Sequence, residues 1–176
     1  EKPNRKPMII QGARHVGKTW LMKEFGKKAY THTVYINFED NVTMEDLFSY
    51  DLDTNRLITG IELYSGQKID PDNTLLIFDE VQEVPRALTS LKYFNENVPE
   101  YHIVCACSFM GIDLHQGTSF PVGKVDLMNL YPLSYKEFLL ATKQIDALKD
   151  YYFVGGMPEA VQHFVSHHSY DEVRNI

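Results

Sequence analysis

The chain has 176 residues, 44% of them hydrophobic and 12% aromatic, and carries a formal charge of −7. That length and apolar content predict one globular domain with room for a small appendage, and exclude a disordered chain. The acidic balance disfavours an indiscriminate grip on nucleic acid, which depends on Lys and Arg neutralising phosphates, and leaves a local basic patch, and with it a nucleic-acid partner, open.

The sequence starts at Glu1 rather than Met, so an upstream stretch is expected. "PMIIQ" (Pro7 to Gln11) predicts the first strand. A glycine-bounded loop follows, then "KTWLMKEFGKKA", whose Trp20, Leu21, Met22 and Phe25 predict a helix lying on a sheet. "TVYINF" (Thr33 to Phe38), β-branched and aromatic, reads as the second strand. Two short helices are expected between Thr43 and Leu63, the second carrying Leu57, Ile58, Ile61 and the neighbouring Leu63, before a turn at "DPDN". "TLLIFDE" (Thr74 to Glu80) is continuous apolar sequence ending in two acids, the pattern of a central strand covered on both faces. "PRALTSLKYFNENV" reads as a helix opened by Pro85.

"HIVCACS" (His102 to Ser108) is the fourth strand. It turns Cys105 and Cys107 to one face, too close together for disulfide geometry, so buried thiols of a reducing cytoplasm are expected. "KVDLMNL" (Lys124 to Leu130) is the fifth strand, and "GIDLHQGTSFPVG" between the two reads as a loop or hairpin at the sheet edge. After "YPLSYKEFLLA" the chain is expected to be helical to its end, broken only by "GGMP" (Gly155 to Pro158). No run approaches the roughly 18–20 apolar residues of a membrane span, and no charged-then-apolar leader opens the chain. A cytoplasmic protein without a membrane partner is therefore expected. Strands alternating with helices predict an α/β fold: a mostly parallel five-stranded sheet with helices on both faces over residues 1–133, followed by a small helical lid over 134–176.

The loop "GARHVGKTW" matches G-x-x-x-x-G-K-[ST] through Gly12, Gly17, Lys18 and Thr19, between a predicted strand and a predicted helix. That context identifies the phosphate-binding loop of a P-loop NTPase. Its glycines let the backbone curl so that N–H groups from about His15 to Trp20 converge on phosphate oxygens, with a helix N-terminus behind them. Gly12, Arg14, His15, Val16, Gly17, Lys18, Thr19 and Trp20 are thus the nucleotide-binding set. Lys18 would reach the outer phosphates and Thr19 would offer its hydroxyl to Mg2+, while Arg14 and His15 at the tip turn their side chains to solvent. The alternative is a glycine turn that matches by chance.

"LLIFDE" leaves Asp79 at the C-terminal end of its strand, where open α/β sheets bind ligands. Asp79 would hold magnesium, directly or through water, and Glu80 would orient and deprotonate the attacking water. An acid in that second position points to hydrolysis, the alternative being that Asp-Glu opens a solvated turn. Ser108, at the end of the fourth strand, is either a group touching the γ-phosphate or water, or a plain turn serine. Gln82 in "DEVQ" either reports the state of Glu80 to the neighbouring strand or is a surface glutamine. Arg56, Arg86 and Arg174 are available to stabilise transition-state charge, none in a diagnostic context, so an arginine comes from a second subunit or turnover is slow. His163 and His167 are four apart, with His168 adjoining, a spacing that can bind zinc. They lack a Cys or acid at matching spacing, and exposed polar residues are expected.

With these residues in place, the chain resembles the bacterial and archaeal AAA-type ATPases that join a P-loop domain to a C-terminal domain of the restriction-endonuclease-like class. The resemblance runs through "KPMIIQGARHVGKTWLMKEFG", "NTLLIFDEVQEVPRALTSLKYF", "LHQGTSFPVGKVDLMNLYPLSYKEFLLA" and "YYFVGGMPEAVQHF". The first two stretches are shared by many ATPases and the last two are specific to this family. The resemblance implies Mg2+-dependent hydrolysis of bound ATP to ADP, coupled to movement between sheet domain and lid. It assigns Lys18, Thr19, Asp79, Glu80 and Ser108 to phosphate, magnesium, water and sensor positions. "GGMP" resembles the Gly-x-Pro signature of signal-transduction ATPases, which implies Gly156, Met157 and Pro158 as the adenine-side wall; Pro158 also suits a helix start.

His15 replaces the glutamine usual in this loop, and Cys107 stands where glycine is common. The segment between "EFLLA" and "YYFVGG" is shorter than in the family, which leaves open whether residues are missing between Ala141 and Tyr151, and the C-terminal effector domain is expected to be missing. The implied partners are ATP and either a protein or that C-terminal domain. A slowly hydrolysing nucleotide-dependent switch or scaffold is a second reading. A DNA-processing motor is a third, against which the acidic charge and the lack of further helicase motifs weigh. No guanine-reading Asn/Thr-Lys-x-Asp motif occurs, which supports ATP.

Overall fold

The structure is a computed structural model that describes residues 5–108, 120–167 and 169–173. The chain forms two compact units, one combining the chain up to Gln11 with Lys18–Asn129, the other combining Gly12–Gly17 with the chain from Leu130 on. Each is built by a different use of the apolar residues.

The first unit is made around five strands, β1 (Met8–Gln11), β2 (His32–Asn37), β3 (Thr74–Asp79), β4 (His102–Cys107) and β5 (Asp126–Asn129). They lie in the order β2-β3-β4-β1-β5, and every pairing is parallel. β3 is buried at every position, as a strand flanked on both sides and covered on both faces must be. Its register sets Ile77 between Tyr35 and Val104, and Asp79 beside Asn37.

Alternate residues of β3 serve opposite layers. Leu76 and Phe78 join Val34, Ile36, Ile103, Cys105 and Cys107 in a core closed by α2 (Val42–Tyr50), α3 (Thr54–Ser65) and α4 (Pro85–Asn97) through Phe48, Leu57, Ile61, Leu88, Leu91 and Phe94. Phe38, Phe48 and Phe78 meet edge to face there, with centroids 5.3–6.4 Å apart. Both cysteines are free thiols, and burial holds that of Cys105 well above its usual range. Asn41 and Asp53 cap α2 and α3 by accepting from Met44 N and Arg56 N.

On the other face, Leu75 and Ile77 meet α1 (Lys18–Ala29) at Gly26, where an added Cβ would lie 2.5 Å from Thr33 Cγ2. The helix lies on the sheet through a narrower stripe than its sequence predicts. Lys18, Met22 and Gly26 are its buried residues, spaced by four, whereas Trp20 and Phe25 are 67% and 50% exposed. At about 100° per residue Trp20 stands on the far side of the helix from Met22. The same offset from Ile61 leaves Leu63 81% exposed on α3.

The second unit packs α5 (Tyr135–Thr142), α6 (Leu148–Val154), α7 (Pro158–His167) and α8 (Tyr170–Val173) around Phe138, Val154, Val161 and Phe164. Ser134 and Glu137 form a capping box at the start of α5. Its helical run is broken at a second place besides "GGMP": Lys143 takes a left-handed φ of 57° as the C-cap of α5, and α6 does not begin until Leu148. Of the expected loop or hairpin "GIDLHQGTSFPVG", residues 111–119 lie outside the described residues. Among the described residues no helix is long and apolar enough to cross a membrane.

Gly26 is kept in a helix interior despite its low propensity because Thr33 occupies the space a methyl would need. Gly26→Ala is expected to destabilise the protein by about 1–2 kcal/mol, the clash with a stiff β-branched neighbour outweighing the gain in propensity. Adding Thr33→Ser, which removes the opposing methyl, recovers most of the loss. Urea midpoints at unchanged m-value are the readout.

Candidate functional site

The loop Gly12–Gly17 curls by taking left-handed φ angles at His15 (62°) and Gly17 (97°). Such alternation turns neighbouring N–H groups toward one concavity, the geometry of an anion nest. Arg14 and His15 are exposed at its tip and Val16 is buried beneath it. Gly12 has no room for a side chain, since a Cβ there would sit 2.2 Å from Leu130 O.

Gly156 meets the same segment further along. A Cβ on it would lie 2.2 Å from Leu133 O, and Leu133 N donates to Gly156 O at 2.7 Å. Tyr151 Oη donates to Leu133 O at 2.9 Å. A Cβ on Gly17 would stand 3.9 Å from Pro158 Cγ. Within this unit the glycine loop and the "GGMP" turn are therefore brought together, with Leu130–Leu133 laid along both. Met157 packs on the helical core.

In the first unit the two residues that continue the loop, Lys18 and Thr19, form the first turn of α1. Lys18 and Asp79 are each only 4% exposed. Thr19 Oγ1 donates to Asp79 Oδ2 at 2.7 Å, Tyr35 Oη donates to the same oxygen at 2.9 Å, and Glu80 N donates to Asp79 Oδ1 at 3.2 Å. A carboxylate withdrawn from water needs such donors, because an unpaired buried charge is expensive. Burial first, then the bond to Asp79, pushes the Tyr35 phenol above its ordinary range and keeps it a donor. The Lys23 ammonium stands 3.7 Å over the Tyr35 ring.

Tyr35 is the site residue that the sequence reading missed. The signal was the period-two alternation of "TVYINF", which sends Tyr35 to the face opposite Val34 and Ile36, the face that also bears Asp79.

Glu80 follows β3 directly and takes a left-handed φ of 50°. Its Oε1 accepts from Ser108 Oγ at 2.6 Å and its Oε2 from Gln82 Nε2 at 2.6 Å. Burial, followed by the Glu80 charge, pushes the neighbouring Cys107 thiol up to about 12. The structure thus brings Lys18, Thr19, Asp79, Glu80 and Ser108 to one end of the sheet, together with the unexpected Tyr35.

Trp20 faces solvent on α1. Arg56 Nη2 and Arg86 Nε donate to Leu47 O and Phe48 O at 2.8 and 2.7 Å, satisfying the last carbonyls of α2, and Arg56 also pairs with Asp51 at 2.6 Å. Arg174 lies outside the described residues. His163 and His167 stack on α7, and no third His, Cys, Asp or Glu joins them among the described residues; His168 lies outside those. A groove of about 660 Å³ elsewhere on the sheet, lined by Leu21, Phe25, Val104 and Met128, contains none of the predicted site residues.

The profile of the family described as AAA domain matches residues 4–139. A Walker-type ATPase of Pyrococcus abyssi is 12% identical with a TM-score of 0.60, the likeness covering 97% of this chain and 66% of that one. C. elegans PCH-2 is 14% identical with a TM-score of 0.46, covering 84% and 40%. The Pyrococcus structure is similar in fold, and the chain spans 66% of its length. No curated protein matches the chain.

The bond from Tyr35 to a charged acceptor is expected to be measurable without any ligand. Tyr35→Phe keeps the ring beneath Lys23 and removes only the donor, for an expected loss of about 1 kcal/mol. In an Asp79→Asn background that loss shrinks, leaving a coupling of about 1 kcal/mol in a double-mutant cycle of urea unfolding. Additive losses would show that the phenol and the carboxylate do not interact.

Proposed function

Since the chain belongs to the AAA domain family, we propose that it binds ATP and hydrolyses it to ADP and phosphate in the presence of Mg2+. The observation that carries this reading is the 2.7 Å bond between Thr19 and Asp79. It joins the residue after the loop lysine to the acid that ends the central strand, the two groups of different sequence motifs that must meet at one cation.

Two hard oxygens side by side fit a magnesium ion, which takes few protein ligands and completes its shell from phosphates and water. Thr19 and Asp79 would hold it, and its charge would offset that of the outer phosphates. The remaining roles fall to the chain's own groups. Backbone amides from His15 to Trp20 would bind phosphate oxygens, aided by the positive end of α1, with Lys18 as the point charge toward the outer phosphates. Glu80 would draw the proton from the attacking water, with Ser108 holding its carboxylate in place. Gly156, Met157 and Pro158 would wall the adenine, supported by the contact between the Gly17 and Pro158 positions.

On this reading residues 1–133 act as the ATPase core and 134–176 as a lid. Leu130–Leu133 is the stretch through which filling of the loop would reach the helices, because Gly12 and Gly156 both pack on it. The client would be a protein partner or a C-terminal domain of the same protein. A slowly hydrolysing nucleotide switch is a second reading, favoured by the engagement of Arg56 and Arg86 with α2 carbonyls rather than with the end of the sheet.

Steady-state phosphate release separates the two. Prompt turnover that requires Mg2+ and falls at least about 10²-fold in Glu80→Gln is the result expected of an ATPase. Trace turnover with nucleotide retained through purification would favour the switch. Absence of ATP binding, unchanged by Lys18→Ala, would remove both.

A further inference from the structure

Gln82 lies in the 3-10 turn Val81–Glu83 immediately after Glu80, and both ends of its side-chain amide are used. Nε2 donates to Glu80 Oε2 at 2.6 Å, with a longer contact of 3.3 Å to Glu83 Oε1, and Oε1 accepts from Ser108 N at 3.3 Å. Ser108 Oγ closes the circuit on Glu80 Oε1 at 2.6 Å. Glu80, Gln82 and Ser108 thus form a hydrogen-bonded ring that spans the ends of β3 and β4.

The ring admits only one orientation of the amide. Reversed, it would set its carbonyl against the Glu80 carboxylate and its NH2 against the Ser108 N–H. It also fixes more than a single bond would. One donor on one oxygen leaves a carboxylate free to turn about its terminal torsion, a broad and soft one. Two donors from different elements, one on each oxygen, define the plane of the group.

We propose that Gln82 is a positioning residue for the hydrolytic step, holding the Glu80 carboxylate in the plane from which it addresses water and tying that plane to the end of β4. This rests on the reading of Glu80 as the base. Only a side chain that donates and accepts at once, at this length, closes the ring. Glu in its place would oppose two carboxylates, Asn is one methylene short, and Met keeps the shape while losing both bonds. Gln82 and Glu80 are both half-buried, so the ring contributes orientation more than stability.

The test measures kcat, KM for ATP and the dissociation constant of a fluorescent ATP analogue for wild type and for Gln82→Met at saturating Mg2+, with thermal melts alongside. Gln82→Met is expected to lower kcat about 10- to 100-fold, the loss that follows misplacement of a catalytic group, with KM and analogue affinity within about 2-fold of wild type. Repeated as single turnovers in a Glu80→Gln background, the same substitution is expected to add nothing further. Unchanged or raised kcat in Gln82→Met overturns the proposal, and so does an undiminished loss in the Glu80→Gln background, which would mean that Gln82 acts other than through Glu80. Wild type that binds ATP without turnover would overturn the hydrolytic reading, and this proposal with it; a wild type that turns over beside an indifferent Gln82→Met would overturn this proposal alone.

Discussion

The carboxylate of Asp79 is the point on which the arrangement turns. It ends the most enclosed strand of the sheet, and a charge in that position survives only if protein donors replace the water it has lost. Thr19 and Tyr35 converge on one oxygen and Glu80 N on the other. Each donor requires an element in a particular place: β2 must run parallel beside β3, and the first turn of α1 must stand over the end of the sheet. The 2.5 Å from the Gly26 Cβ position to Thr33 shows how closely α1 lies on β2 to meet that condition. Core packing and site geometry are in this sense the same requirement.

Much of the sheet was legible because a parallel sheet imposes a simple signature on its strands. In "TLLIFD" four apolar residues in a row separate Thr74 from the final acid, and all six positions are buried, as a strand covered on both faces requires. The helices were legible in extent but not in facing. Trp20 and Leu63 are apolar and two residues from buried neighbours in sequence, yet two residues along a helix is more than half a turn, so proximity in the chain separates them in space. The break at Lys143 left no glycine or proline to announce it, since a lysine there takes the left-handed conformation that caps α5. In the site, Lys18, Thr19, Asp79 and Glu80 belong to motifs with fixed spacing, whereas Tyr35 comes from a strand whose role depends on which face its alternation presents. That face is fixed only once β2 is paired with β3.

Glycines in the second unit carry information of a different sort. Gly12 could have been explained by loop curvature alone, but its φ is not left-handed; what excludes a side chain is the Leu130 carbonyl at 2.2 Å from the Cβ position. Gly156 is constrained in the same manner by Leu133 O. Backbone cannot move aside as a flexible side chain does, so both are close-approach glycines rather than turn glycines. Motif reading treats "GARHVGKT" and "GGMP" as separate signatures. Packing shows that both approach one stretch, "LYPL", too closely for a side chain.

The two adjacent acids show how one strand end can supply groups of contrasting freedom. Asp79, the last residue of β3, is nearly sealed and meets three donors from β2, α1 and the following peptide, which leaves it little scope to reorient. Glu80 is one residue on, and its left-handed backbone turns it out of the ladder to a half-exposed position where side-chain partners alone hold it. The two acids draw on separate partners: Asp79 on hydroxyl and phenol, Glu80 on serine and glutamine, and the Glu80 amide joins the first set rather than the second. A nearly sealed acid suits the holding of a cation, and a half-exposed acid whose plane is set by side chains of two elements suits the taking of a proton from water.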